Sequence, residues 1–81
     1  MNPPLADHIA QCIKFFRHAK GLTQEELANK SELDRTYISG VERGIRNITL
    51  NSLERIISAL GIKESVFFNH LIESFSKDTD S

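Results

Sequence analysis

Nothing after position 4 forbids a helix. The two prolines stand together at Pro3 and Pro4, and proline breaks helix interiors by removing an N–H and clashing with the preceding turn. Down the rest of the chain apolar residues recur three and four apart, and β-branched alternation is sparse. Gly21, Gly44 and Gly61 each follow an apolar-periodic stretch, where a helix commonly ends on a residue with positive φ. This patterning predicts an all-α chain. With 81 residues there is room for one domain, spanning 1–81 with order expected over about 6–75.

Composition narrows the function. The hydrophobic share of 40% is too high for a disordered chain. No apolar run approaches the roughly 20 residues of a membrane span. Met1–Pro4 lacks the basic n-region of a secretory signal. One cysteine, Cys12, makes no internal disulfide and fits a reducing cytosol, so the expectation is a cytoplasmic protein without membrane contact. His8, His18 and His70 share no metal-ligand spacing with one another or with Cys12, so no metal and no cofactor are expected. There is no Gly-rich phosphate loop and no arguable hydroxyl–His–carboxylate set, and an enzyme reading has no support. The net charge of −1 speaks against a nucleic-acid partner, because phosphate binding usually leaves a basic signature.

Five helices are expected. The first, about Ala6 to Lys20, carries Ile9, Ile13 and Phe16 on one face, flanked by Cys12 and Ala19. The second opens on a capping box, Thr23 with Glu26, and runs to about Lys30. The third takes Asp34 as N-cap, buries Ile38 and Val41, and ends at Gly44. The fourth begins at Thr49, is expected to bury Leu50, Leu53, Ile56, Ile57 and Leu60, and stops at Gly61. The fifth spans about Glu64 to Phe75, leaving Ser76 to Ser81 as a polar, frayed tail.

Helices two and three form a tight pair with Leu27, Ala28, Leu33, Ile38 and Val41 inward. Ala28 lets the helices approach, and Leu33 plugs the turn. This spacing suits a DNA-binding helix-turn-helix, and equally an ordinary αα-hairpin. The outward residues favour DNA. They are Arg35, Thr36, Tyr37, Ser39, Gly40 and Arg43, followed by Arg46 and Asn47, where a solvated helix is usually rich in Glu and Lys. Arg35 suits a guanine edge and Thr36 a thymine methyl or base edge. Tyr37 reaches a base or phosphate, or packs as a half-buried ring. Ser39 suits a short polar contact, and Gly40 a close approach of backbone to groove. Arg43 and Arg46 suit bases or phosphates, the bland alternative being plain surface charge.

Phe16-Arg17, the stretch Gly21 to Ala28 and the stretch Ile38 to Gly44 resemble the phage-repressor-type helix-turn-helix family. Leu33 to Arg43 with Arg46-Asn47 is more narrowly similar to the controller proteins of restriction–modification systems. The resemblance covers about residues 9 to 75. It implies a compact five-helix, lambda-repressor-like domain with the helix-turn-helix in helices two and three. It also implies a homodimer on pseudo-palindromic operators in double-stranded DNA, activating an endonuclease gene and repressing its own, and it allows two dimers on adjacent operator sites. Arg35, Thr36, Tyr37, Ser39, Arg43 and Arg46 match positions facing DNA. Gln24 matches a phosphate-binding position, and Asn47 and Thr49 add backbone contacts. Arg17 and Glu42 match a buried salt bridge between helices one and three. Where that family often has glycine in the turn, this chain has Glu32. The alternatives are a phage or plasmid repressor, and an antitoxin or protein-interaction module of the same fold.

The fifth helix supplies the expected dimer surface. Val66, Phe67, Phe68, Leu71, Ile72 and Phe75 are more apolar surface than one face of a terminal helix buries. Some face the core and others a partner, unless a folded-back N-terminus with Leu5 and Ile9 covers the excess. Charge is also uneven. Residues 11–50 hold seven Lys/Arg against five Asp/Glu, and residues 51–81 hold three against five. The helix-turn-helix region is therefore basic although the chain is not, and weak non-specific DNA affinity follows.

Overall fold

The computed structural model describes residues 4–79, with side chains through Ser76. Met1–Pro3 and the last two residues of the expected tail, Asp80 and Ser81, lie outside the described residues. Five helices follow one another: α1 Leu5–Ala19, α2 Gln24–Ser31, α3 Arg35–Glu42, α4 Leu50–Leu60 and α5 Glu64–Thr79. Among the described residues there is no strand.

The helix limits have local causes. Pro4 occupies the N-cap of α1, where its missing N–H costs nothing. Thr23 accepts from the Glu26 N–H at 3.0 Å while the Glu26 carboxylate accepts the Thr23 N–H at 2.8 Å, closing the capping box. Thr49 caps α4 through the Ser52 N–H at 3.0 Å. Asp34 differs from expectation. It has N-cap backbone geometry, but its exposed side chain makes no capping bond. Helix α3 runs to Glu42 with Arg43 as C-cap, and Gly44 takes the positive φ expected after the helix, at 75°: Gly44 N–H bonds to Val41 O, and Ile45 N–H to Gly40 O.

The same two-bond closure ends α2 without a glycine. Leu33 N–H reaches Ala28 O at 2.9 Å and Glu32 N–H reaches Asn29 O at 3.3 Å, with Glu32 left-handed at φ 58°. That is a Schellman turn built on glutamate. Leu33 is half-buried against the core, so burial of its side chain sets the turn.

The core is Cys12, Ile13 and Phe16 of α1, Leu27 and Ala28 of α2, Ile38 and Val41 of α3, Leu53, Ile56, Ile57 and Leu60 of α4, and Phe67 and Leu71 of α5. Helix α2 packs against α3 and α4, and α1 spans α3, α4 and α5. Three expectations are corrected. Ala19 is exposed. Leu50 is 86% exposed. It lies on the first turn of α4, about 70° around the helix from the centre of the buried stripe, beyond reach of the core. Helix α5 continues to Thr79 instead of fraying at Ser76. Its C-terminal end is held against α1, where His8 Nδ1 and Ser74 Oγ lie 3.0 Å apart and the rings of His8 and Phe75 are 4.0 Å apart.

Candidate nucleic-acid interface

One buried charge cluster joins three helices behind the outward face of α3. Arg17 Nε donates to Glu42 Oε2 at 2.6 Å, and Arg17 Nη2 donates to Oε1 at 3.0 Å. The two side chains are 8% and 2% exposed. Arg17 Nη1 donates to Leu22 O at 2.8 Å. Gln24 Nε2 donates to Glu42 Oε1 at 3.1 Å. The carboxylate thus takes both prongs of the guanidinium and an amide, which is the geometry a buried ion pair needs to offset its desolvation. The cluster fixes α1 and the start of α2 to the end of α3, so the α2–α3 angle is set by charge as well as by Leu27, Ala28 and Ile38.

The expected base-reading residues lie around α3 and the loop after it. Arg35, Thr36, Arg43 and Arg46 are exposed, Ser39 and Tyr37 are half-buried, and Ile38 and Val41 on the opposite side are buried. Arg35 shares a shallow depression with Arg17, Thr23, Gln24 and Glu25 at the start of α2. The Gln24 and Glu25 N–H groups stand in the first turn, where no helical acceptor exists. One Gln24 amide hydrogen goes to Glu42, which leaves the second hydrogen and the backbone N–H on the open side. Asn47 and Thr49 are exposed on the loop leading to α4.

Tyr37 and Gly40 sit differently from the sequence-based picture. The Tyr37 ring lies along the loop, with its hydroxyl donating to Asn47 O at 3.4 Å and Arg46 Cζ 5.8 Å from the ring centroid. Gly40 is buried, and a Cβ there would meet Arg46 Cγ at 2.5 Å. Gly40 is therefore covered by Arg46 and is not a place for close backbone approach to a groove.

Away from this face, α5 divides its apolar residues. Phe67 is fully buried and Leu71 is 8% exposed. They belong to the protomer's own core, which corrects their assignment to a dimer surface: with Ser74 they face α1 at helical spacing. Val66, Phe68, Ile72 and Phe75 are exposed, between 37% and 61%. These exposures hold with the described N-terminal residues in place, of which His8 packs on Phe75 and Leu5 is itself 58% exposed. Leu50 and Phe68 line one open groove between α4 and α5. Sequence reasoning missed Leu50 as a surface residue, although its place directly after the Thr49 cap was the available signal.

Residues 13–67 match the family model described as Helix-turn-helix. The chain belongs to the helix-turn-helix family. Within it, control protein C.MunI of a Mycoplasma species is 41% identical over 58 residues, covering 72% of this chain and 78% of C.MunI. Control protein C.BamHI of Bacillus amyloliquefaciens is 50% identical over 42 residues, 52% of each chain. The match thus spans about half the length of C.BamHI. The wild-type restriction–modification controller protein C.Esp1396I superposes with a TM-score of 0.88 at 49% identity, covering 91% of this chain and 97% of that one. A C.Esp1396I tetramer bound to its natural 35-base-pair operator superposes with a TM-score of 0.84 at 50% identity, covering 89% and 95%. The all-α helix-turn-helix fold is common to these proteins and to this chain. No described helix is long and apolar enough to cross a membrane.

Proposed function

We propose that this helix-turn-helix protein is a sequence-specific DNA-binding regulator of the restriction–modification controller type, working in the cytoplasm as a homodimer on a pseudo-palindromic operator. It is a regulator and not an enzyme. The observation that carries the reading is the two-sidedness of α3. Ile38 and Val41 anchor it in the core while Arg35, Thr36 and Arg43, with Arg46 beside them, stand in solvent. A helix seated that way presents guanidinium and hydroxyl groups to a major groove, where arginine pairs with guanine and threonine with thymine. Gln24, Asn47 and Thr49 flank that face and suit phosphate contacts, which set register without reading sequence.

The dimer rests on Val66, Phe68, Ile72 and Leu50, an apolar surface open to solvent in the single chain. Two-fold pairing through it would set two α3 helices about 34 Å apart, one turn of DNA. C.Esp1396I, at 50% identity, is a tetramer on its operator, which supports two dimers on adjacent sites. In this reading they activate an endonuclease gene and repress the protein's own.

Selection of binding sites from random duplex DNA tests the reading, followed by gel-shift titration at a stated salt concentration. Enrichment of a two-fold symmetric site with half-sites one helical turn apart is expected. Recovery of no sequence preference would remove the regulator assignment. Sedimentation at micromolar concentration tests the dimer, and a stable monomer would remove it.

A further inference from the structure

Gly40 lies inside α3 with ordinary helical backbone, so no positive φ accounts for a glycine there. Alanine would be the better helix former. What the glycine supplies is space. A Cβ at position 40 would lie 2.5 Å from Arg46 Cγ and 3.3 Å from Arg46 Cβ. The Arg46 stem occupies the volume that a side chain at 40 would take. Gly40 O also accepts the Ile45 and Arg46 N–H groups at 3.1 and 3.2 Å, so the loop folds back onto the helix at this point. Beyond the stem, the guanidinium lies 5.8 Å from the Tyr37 ring centroid, inside cation–π range. Tyr37 and Gly40 are three apart and share a face of α3. The Tyr37 hydroxyl donates to Asn47 O, tying the ring to the same loop.

We propose that Gly40 and Tyr37 are positioning residues for Arg46, and that Gly40 governs DNA specificity through the slot it leaves for the Arg46 stem. This rests on the DNA-binding reading above. An arginine whose stem is already ordered loses less freedom when its guanidinium engages a base than one waving in solvent. Filling the slot expels the stem and returns Arg46 to the free state, with the helix itself intact.

The test compares Gly40→Ala, Arg46→Ala and the double variant on the operator selected for the wild type and on random DNA. Gly40→Ala is expected to lower the operator-to-random affinity ratio by roughly 5- to 150-fold, the range of one base contact. Its Tm should equal or exceed that of the wild type. Added to Arg46→Ala, it should cost nothing further. An unchanged ratio, or the same loss in both backgrounds, would overturn the proposal. If Gly40→Ala alone fails to fold, the double variant must fold, and an unfolded double variant overturns the slot. A readout without DNA separates the two readings. The Arg46 Nε–Hε resonance should carry a ring-current shift in the wild type that disappears in Gly40→Ala. A wild type that selects no sequence overturns the DNA reading alone, whereas a resonance indifferent to Gly40→Ala overturns the slot.

Discussion

Glu42→Ala isolates the buried charge cluster. It removes the carboxylate that takes both Arg17 prongs at 2.6 and 3.0 Å and the Gln24 amide at 3.1 Å. The Arg17 side chain is only 8% exposed, so its charge cannot recover water without moving. Its remaining partner of note is Leu22 O. Breaking a buried pair by removing one member costs roughly 3–5 kcal/mol. A domain of this size is stable by about 4–12 kcal/mol. The variant therefore loses a large part of its stability, and its Tm should fall by more than about 12 °C. Urea unfolding followed by far-UV circular dichroism measures this. The loss should persist at 0.5 M salt, because a buried pair is poorly screened. Removing both charges, as Arg17→Met with Glu42→Leu, should recover most of it, since a buried ion pair is often no better than apolar residues of similar volume. Leu22 O loses its donor in that variant, a residual cost of about 1 kcal/mol. A Glu42→Ala cost below about 1 kcal/mol, or single-variant costs that simply add, would refute the idea that the cluster sets the α2–α3 arrangement.

Other expectations are separable. Arg35→Ala should cost about 1–3 kcal/mol on the selected operator and relax one base position, while Gln24→Ala should weaken operator and random DNA alike; equal losses for Arg35→Ala on both would count against base reading. Glu32→Gly should raise stability by about 0.5–1 kcal/mol, because glycine relieves the left-handed strain at φ 58° but has more unfolded freedom to lose; a lower Tm would contradict this. The Thr23 backbone and side-chain hydrogen bonds hold the Glu26 carboxyl below its ordinary value. Its contribution is thus present above about pH 4.3 and lost as pH falls through the lower folded value, so urea midpoints of Glu26→Gln should drop less between pH 7 and pH 3 than those of the wild type. Burial pushes the Cys12 thiol up to about 12, so iodoacetamide at pH 8 should leave the native protein unmodified and label it in denaturant.

Local chemistry was enough to determine where this chain is helical. The Thr23–Glu26 box, the Thr49 cap, the glycines at 21, 44 and 61, and the absence of proline after position 4 act within a few residues, and they appear in the fold as read. The outward character of Arg35, Thr36 and Arg43 was equally legible, because Ile38 and Val41 orient the whole of α3 at helical spacing. Tertiary structure decided what spacing leaves open. An apolar stripe as wide as that of α5 does not say which of its edges meets the core; the position of α1 does, taking Phe67 and Leu71 inward and leaving Val66, Phe68 and Ile72 outside. Leu50 lies at the edge of the α4 stripe, and it stays 86% exposed beside the open groove that it lines with Phe68 of α5. Gly40 reads as an opening for DNA in one dimension, and only the return of the loop over α3 shows Arg46 lying in the gap. Periodicity fixes the direction of side chains relative to one another, whereas burial depends on where the rest of the chain comes to lie.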